Sequence, residues 1–331
     1  HVVKATTKGS STTYHYFMNH PYSAGSTAFV IGEYSDVRQY AGNIQLHNYT
    51  YTDEVAATTA SVERLPDMVD YFSKTTGVSY PYETYSQVFV LDVPWGMAAT
   101  SMAIQTENMV DDFGTHADFL YLWDGLEGES LAQQWFGNYV SCNDPNHIWL
   151  NKGFARYFSG LYNANKNGKD EFLLWQHAYD QSTYFFDWDY SVRQALVNTD
   201  TNNIYNFINS NTPYFHASAV MRMLHKELGE TQFKSVIQEY LTTYANTSVT
   251  TENLITTIEK TTRKPIAWFF DQWVYQTGHP IFEVQQDYDA ENKLFTVKVK
   301  QTQGFDSITT YKQTTFFKGK MEIAINNKIY E

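Results

Sequence analysis

Apolar residues change their spacing along this 331-residue chain, and the change dictates its architecture. From about residue 118 to 275 they recur every three to four positions, the spacing of helices that bury one face. Trp149, Phe154, Tyr157, Phe158 and Leu161 mark one such helix, which ends in the polar stretch 163–168. Another spans 214–228 and stops at Gly229, and more are predicted over 232–244, 252–261 and 265–275, the last with Pro265 in its first turn. Asp124 is read as the N-cap of a helix carrying Leu131, Trp135 and Phe136. After Gly278 and Pro280 the period becomes two. Phe295, Val297 and Val299 alternate with polar residues behind a turn at 289–292, and Met321, Ile323 and Ile325 do the same, which predicts antiparallel sheet. Before residue 118 the pattern is mixed, with a short buried strand expected at 28–31, a helix over 62–76 and a strand over 87–93. The expected fold class is α+β, a mainly helical middle with flanking β-sheet segments.

Composition narrows what such a fold does. With 26 Tyr, 22 Phe and 8 Trp the chain carries enough apolar bulk for a large core, which excludes wholesale disorder. The 36 acidic residues outnumber 23 basic ones, for a net charge of −13, and no block is rich in Lys or Arg. Nucleic acid is therefore not an expected partner, because phosphate contacts need a cationic face. No apolar run is long enough to cross a bilayer, so no membrane insertion is expected. The single cysteine, Cys142, excludes an internal disulfide framework and a cysteine metal cluster. An abundance of Thr, Asn and Tyr, with glycosylation triplets at Asn48 and Asn246, points to a secreted, periplasmic or cell-surface location. The chain starts at His1 rather than at a methionine and is expected to be a piece of a longer protein.

Two stretches carry the chemistry. Residues 129–138 read E-S-L-A-Q-Q-W-F-G-N, and residues 148–157 read I-W-L-N-K-G-F-A-R-Y. The chain resembles the zinc aminopeptidase family typified by aminopeptidase N and leukotriene A4 hydrolase. That family carries H-E-L-A-H-Q-W-F-G-N, then W-L-N-E-G-F-A-x-Y, with its third zinc ligand nineteen positions after the second. Lys152 stands at that distance from Gln133. Downstream, Y-F-H-A-S-A-V-M-R-M-L at 214–224 is similar to the family's Y-x-K-G-A-x-V-L-x-M-L. Upstream, Pro94, Trp95, Gly96 and Met97 approach the family's substrate loop G-x-M-E-N.

The resemblance implies a thermolysin-like domain over 42–278, preceded by the last strands of a saddle-like β domain (1–41) and followed by an incomplete β-sandwich (279–331). It also implies where zinc chemistry ought to be, and the residues there differ. The family binds zinc with two histidines four apart and a glutamate, with another glutamate as general base. Those positions are here Glu129, Gln133, Lys152 and, for the base, Ser130. The substrate loop, Gly96, Met97, Ala98 and Ala99, has alanine in place of the glutamate that grips a free amine and of the asparagine after it. Tyr214 is retained at the position that in the family stabilises the tetrahedral intermediate.

The expected protein is a catalytically inactive, aminopeptidase-like pseudoenzyme without zinc or another cofactor. In it the Lys152 ammonium takes the metal's place, pairs with Glu129 and is supported by Gln133. Its cleft is expected to bind a peptide, a glycan or a protein. Two rivals remain: a working hydrolase that binds metal in another way or uses Ser130 as a nucleophile with Lys152 as its base, and a structural subunit of a larger assembly. The ten histidines offer no substitute metal site; His15 and His20, five apart, suit neither one helix face nor one strand face. Asp187 and Asp189, flanking Trp188 in an aromatic segment, are read as part of a solvated loop rimming the cleft.

Overall fold

The computed structural model describes residues 2–190, 193–198, 204–326 and 328–330. Helix and strand are both plentiful, as the two hydrophobic periods require. Two exposed strands, β1 (Val2–Lys8) and β2 (Ser11–Tyr16), form an antiparallel hairpin. Next come β3 (Ser35–Ala41), β4 (Ile44–Thr50), the helices α1 (Val55–Ser61) and α2 (Leu65–Thr76), then β5 (Thr84–Val90), β6 (Met97–Ala99) and β7 (Met102–Thr106). The five strands β3 to β7 make one mixed sheet in the order β3-β4-β5-β7-β6, parallel at its centre and antiparallel at both edges. This sheet starts at Ser35, so a division at residue 41 would cut its first hairpin.

The helical middle follows: α3 (Phe113–Asp118), α4 (Leu120–Ala132), α5 (Trp149–Asn167), α6 (Lys169–Glu171), α7 (Ala178–Tyr190), α8 (Ile204–Ile208), α9 (Ala217–Leu228), α10 (Glu230–Thr243), α11 (Thr251–Thr262) and α12 (Ala267–Trp273). Short parallel strands β8 (Val140–Cys142) and β9 (Thr247–Val249) tie α4 to α10. A hairpin of β10 (Phe282–Asp289) and β11 (Leu294–Gln301) and a smaller one of β12 (Ile323–Ile325) and β13 (Lys328–Tyr330) close the chain. Both are antiparallel, as the alternation predicts. Among the described residues no helix is long and apolar enough to cross a membrane.

The aromatic residues are spent on the core around α4 and α5. Phe136 stacks on Phe154 at 4.7 Å, and Trp135 meets Phe72 and Tyr80 edge-on while its indole N–H donates to the Val78 carbonyl at 2.9 Å. Beneath this core a row of buried amides crosses the sheet. Asn48 donates to Gln39, Gln87 to Asn48 and Gln105 to Gln87, at 3.2, 3.1 and 2.8 Å. Gln87 also donates to Glu127 of α4 at 2.6 Å.

Four expectations change. Residues 28–31 form no strand: Phe29 is 81% and Ile31 88% exposed, because no neighbouring strand pairs with that apolar run. Asp124 is not a cap. α4 begins four residues earlier, and Asp124 is buried within it against the Arg64 guanidinium at 2.6 Å, which compensates the buried charge. Asp187 and Asp189 lie in helix α7, not in a loop; its aromatic side chains pack beside Phe215 and His279. The helix expected at Pro265 starts at Ala267.

Candidate functional site

Helices α4 and α5 pack side by side, and the residues expected at zinc-ligand positions sit where they meet. α9 approaches α5 closely because position 153 is glycine: a Cβ there would come within 2.5 Å of the Ala217 Cβ. That contact brings Tyr214 and Phe215, just ahead of α9, onto the α5 surface carrying Lys152 and Arg156.

The centre of the site is Arg156. Its Nε and Nη2 donate to Oδ1 of Asp180 at 2.8 and 2.6 Å, and its Nη1 lies 3.5 Å from Oε2 of Glu129. Glu129 is 3% and Asp180 2% exposed. The guanidinium carbon lies 4.5 Å from the ring centre of Phe215 and 5.1 Å from that of Tyr214. The Tyr214 hydroxyl completes the cluster beside Glu129. Burial raises the Glu129 carboxyl to about 7, with Arg156 and the Tyr214 hydroxyl pulling the other way. Burial likewise raises Asp180, again opposed by Arg156. Desolvation works against the Arg156 charge, but Asp180, Tyr214 and Glu129 outweigh it and hold the guanidinium ionised.

Lys152 does not make the pair expected of it. Its Nζ donates to the Ile208 carbonyl at 2.6 Å, and the cation on Glu129 is Arg156. The physical reason is shape. A guanidinium fork satisfies two carboxylates at once, whereas an ammonium is a point charge readily held by a nearby carbonyl. Burial lowers the Lys152 pKa, and the remaining pull of Glu129 on it acts at longer range. Gln133 ends α4, its backbone carbonyl accepting from the Asn138 amide at 3.1 Å, and among the described residues no hydrogen bond joins its side chain to Lys152.

The substrate-loop positions form the sheet's edge. Met97, Ala98 and Ala99 are β6, paired on one side with β7. The Ala99 carbonyl accepts from Gln134 and Asn138, both at 3.1 Å, so the amides of the 129–138 stretch hold this edge. Gly96 roofs Ser130: a Cβ at 96 would meet the Gln105 side-chain oxygen at 2.4 Å and the Ser130 hydroxyl at 2.8 Å. Ser130 itself is 2% exposed and donates to Gln105 at 3.4 Å. With Lys152 held by Ile208, Ser130 has among the described residues no hydrogen-bonded base, which is what a serine nucleophile needs.

Sequence reasoning missed Arg156 and Asp180. Arg156 had a signal, since it lies four residues after Lys152 and so on the same helix face. Asp180 had none, because only the tertiary fold brings α7 to α5. Among the described residues no group of three or more His, Cys, Asp or Glu is disposed to hold a metal ion.

The sequence profile of the peptidase family M1 domain matches residues 60–273, which is most of the chain. The chain belongs to the M1 peptidase family. Among M1 relatives, the rice (Oryza sativa subsp. japonica) aminopeptidase M1-A is 25% identical over 277 residues, covering 82% of this chain and 31% of the relative. The puromycin-sensitive aminopeptidase of Caenorhabditis elegans is 23% identical, covering 83% of this chain and 29% of the relative. Transcription initiation factor TFIID subunit 2 of Drosophila melanogaster is 20% identical, covering 87% of this chain and 27% of the relative. The chain thus spans about a third of the length of these relatives.

Proposed function

We propose that this chain is a non-catalytic M1-type domain in which the Arg156 guanidinium replaces the metal centre, leaving a binding role. The observation that carries the reading is the buried cluster of Arg156, Glu129, Asp180 and Tyr214 at the corner where positions 129, 133 and 152 meet. Zinc takes imidazole, thiolate or carboxylate donors. The residues here do not fit it: Gln133 is a poor donor, Lys152 and Arg156 bring two cations, and Glu129 is already engaged. The position of a general base holds the buried Ser130.

The same reading takes the domain as thermolysin-like from Ser35 to about Gly278, with the terminal hairpins as parts of neighbouring β units, and places the protein outside the cytoplasm. Trp95 and Met97, exposed where β6 begins, offer an apolar surface suited to a peptide or protein partner. The likeness to a subunit of a transcription initiation factor supports, as a second reading, a role within a larger assembly.

The test is elemental analysis after dialysis against zinc, alongside hydrolysis of aminoacyl-coumarin substrates. No bound zinc and no chelator-sensitive turnover are expected. Stoichiometric zinc at this corner, or turnover that stops with chelator, would overturn the reading.

A further inference from the structure

Next to the Arg156 cluster, α7, residues 193–198 and the turn before Tyr214 enclose a small cavity. Its wall includes Tyr184, Asp187, Trp188, Gln194, Asn211 and His216. The space available to the centre of a water-sized sphere is about 10 Å³, room for one water-sized group. Two buried atoms of lining residues, Oε1 of Gln194 and Nδ1 of His216, have no hydrogen-bond partner among the described residues. His216 is 6% exposed, so solvent does not readily satisfy it. Asp187 accepts one hydrogen bond, from the Asn211 side chain at 3.1 Å, and keeps further acceptor capacity.

Left orphaned, such atoms forgo the hydrogen bonds they would make in water, so the wall suits a group that donates in several directions. With the imidazole proton on Nε2, His216 accepts at Nδ1, as Gln194 and Asp187 accept at their oxygens. The acidic side chain among these is Asp187, whose pKa burial raises while the Asn211 hydrogen bond opposes the shift, and the Trp188 ring beside it already carries Arg193, whose guanidinium carbon lies 5.1 Å from the ring centre. The neighbouring cation, Arg193, is tied to Asp306 at 2.5 Å and to the Trp188 carbonyl at 2.8 Å. His279 is held by the Tyr184 hydroxyl at 3.2 Å. Burial lowers the His216 pKa to about 4, so its ring adds no opposing charge at neutral pH.

We propose that this cavity binds the head of an unbranched primary ammonium, such as a lysine side chain, with Asp187 as counter-charge and Gln194 and His216 as acceptors. Three N–H donors on a compact cation match in number the acceptors that Asp187, Gln194 and His216 bring to the wall. The branched carbon beside a peptide's terminal amine makes that amine the poorer fit. Position 216 is also the lysine position of the Y-x-K-G pattern, so His216→Lys would supply a tethered ammonium.

The assay is thermal melting and tryptophan fluorescence of the chain titrated with methylammonium chloride, against sodium chloride and tetramethylammonium chloride at equal ionic strength. Methylammonium alone should raise Tm, in proportion to the logarithm of its concentration once above Kd. Asp187→Asn should raise the methylammonium Kd by about tenfold or more. His216→Lys should abolish the response while raising the basal Tm. N-acetyl-lysine methylamide should reproduce the effect, and its norleucine counterpart should not. Should Asp187→Asn fail to fold, Gln194→Leu takes its place with the same expected loss. Equal shifts in all three salts, no shift in any, or an undiminished response in both Asp187→Asn and Gln194→Leu would reduce the cavity to a site for water. Zinc content and peptidase turnover do not enter this test, so it fails or succeeds apart from the reading of the metal corner.

Discussion

Arg156 places two of its N–H groups on a single oxygen of Asp180, at 2.8 and 2.6 Å, and leaves its third edge to Glu129 at 3.5 Å. The stronger partner is therefore Asp180 of α7, and the cluster clamps α7 to α5 as well as filling the corner where α4 and α5 meet.

Removing the guanidinium strands two buried carboxylates. Arg156→Ala should cost about 3–5 kcal/mol, the usual penalty for breaking a buried pair from one side. Arg156→Lys should recover little, because an ammonium lacks the fork that spans Asp180 and Glu129. Urea unfolding of the three proteins measures this, and a loss below about 1 kcal/mol for Arg156→Ala would contradict the burial of the cluster.

Lys152 should matter less. It holds one carbonyl, that of Ile208, so Lys152→Met should cost about 1–2 kcal/mol. Glu129→Ala, which frees Arg156 from its weaker partner only, should fall between Lys152→Met and Arg156→Ala. Equal or reversed costs for Lys152→Met and Arg156→Ala would restore the ammonium as the centre of the site.

Stability should fall as pH rises from acid to mildly alkaline. Burial lifts Glu127 from its ordinary 4.5 to about 8 and Glu129 to about 7. A carboxyl raised on folding is protonated in the native state where the unfolded chain has already lost its proton. Its contribution is complete below about pH 4.5 and is lost as pH climbs through 7 and 8, at up to about 1.4 kcal/mol per pH unit for each such group. Urea midpoints at pH 5.5 and 8.5 should differ in favour of pH 5.5. Glu127→Gln, which keeps the shape without the proton, should shrink that difference, and an unchanged slope in this variant would rule out Glu127 as its source.

Gly153 sets the distance between α5 and α9. Gly153→Val forces a branched side chain into a place where even a Cβ meets Ala217 at 2.5 Å, and should cost about 1–3 kcal/mol or more. Because α9 positions Tyr214, the ring contact with Arg156 should loosen as well. Chemical shifts of the Tyr214 ring in specifically labelled protein would report it, and a stable variant with unmoved shifts would contradict the spacing argument.

Much of this architecture was legible in the sequence because it rests on periodicity. The α5 helix from Trp149 and the stop at Gly229 follow from apolar spacing and from a glycine whose φ of 76° suits the end of a helix. The hairpin of β10 and β11 follows from alternation behind the 289–292 turn. Residues 28–31 failed because an apolar run becomes a strand only when a partner lies beside it. Asp124 failed because a helix can bury an aspartate once Arg64 arrives from sixty residues away. At the site, motif register located positions 129, 133, 152 and 214. The choice between Lys152 and Arg156 depended on where α7 delivers Asp180, a long-range fact that local pattern does not encode.

The amide row beneath α4 has an evolutionary consequence. Each of Asn48, Gln87 and Gln105 is both donor and acceptor to its neighbours, and all three are sealed from solvent. Replacing any one orphans the next, so single steps away from this arrangement pass through a less stable intermediate. Such a set drifts only by coordinated replacement. The centre of the sheet should therefore change more slowly than the neighbouring positions 129, 130 and 152, which carry no such reciprocal row.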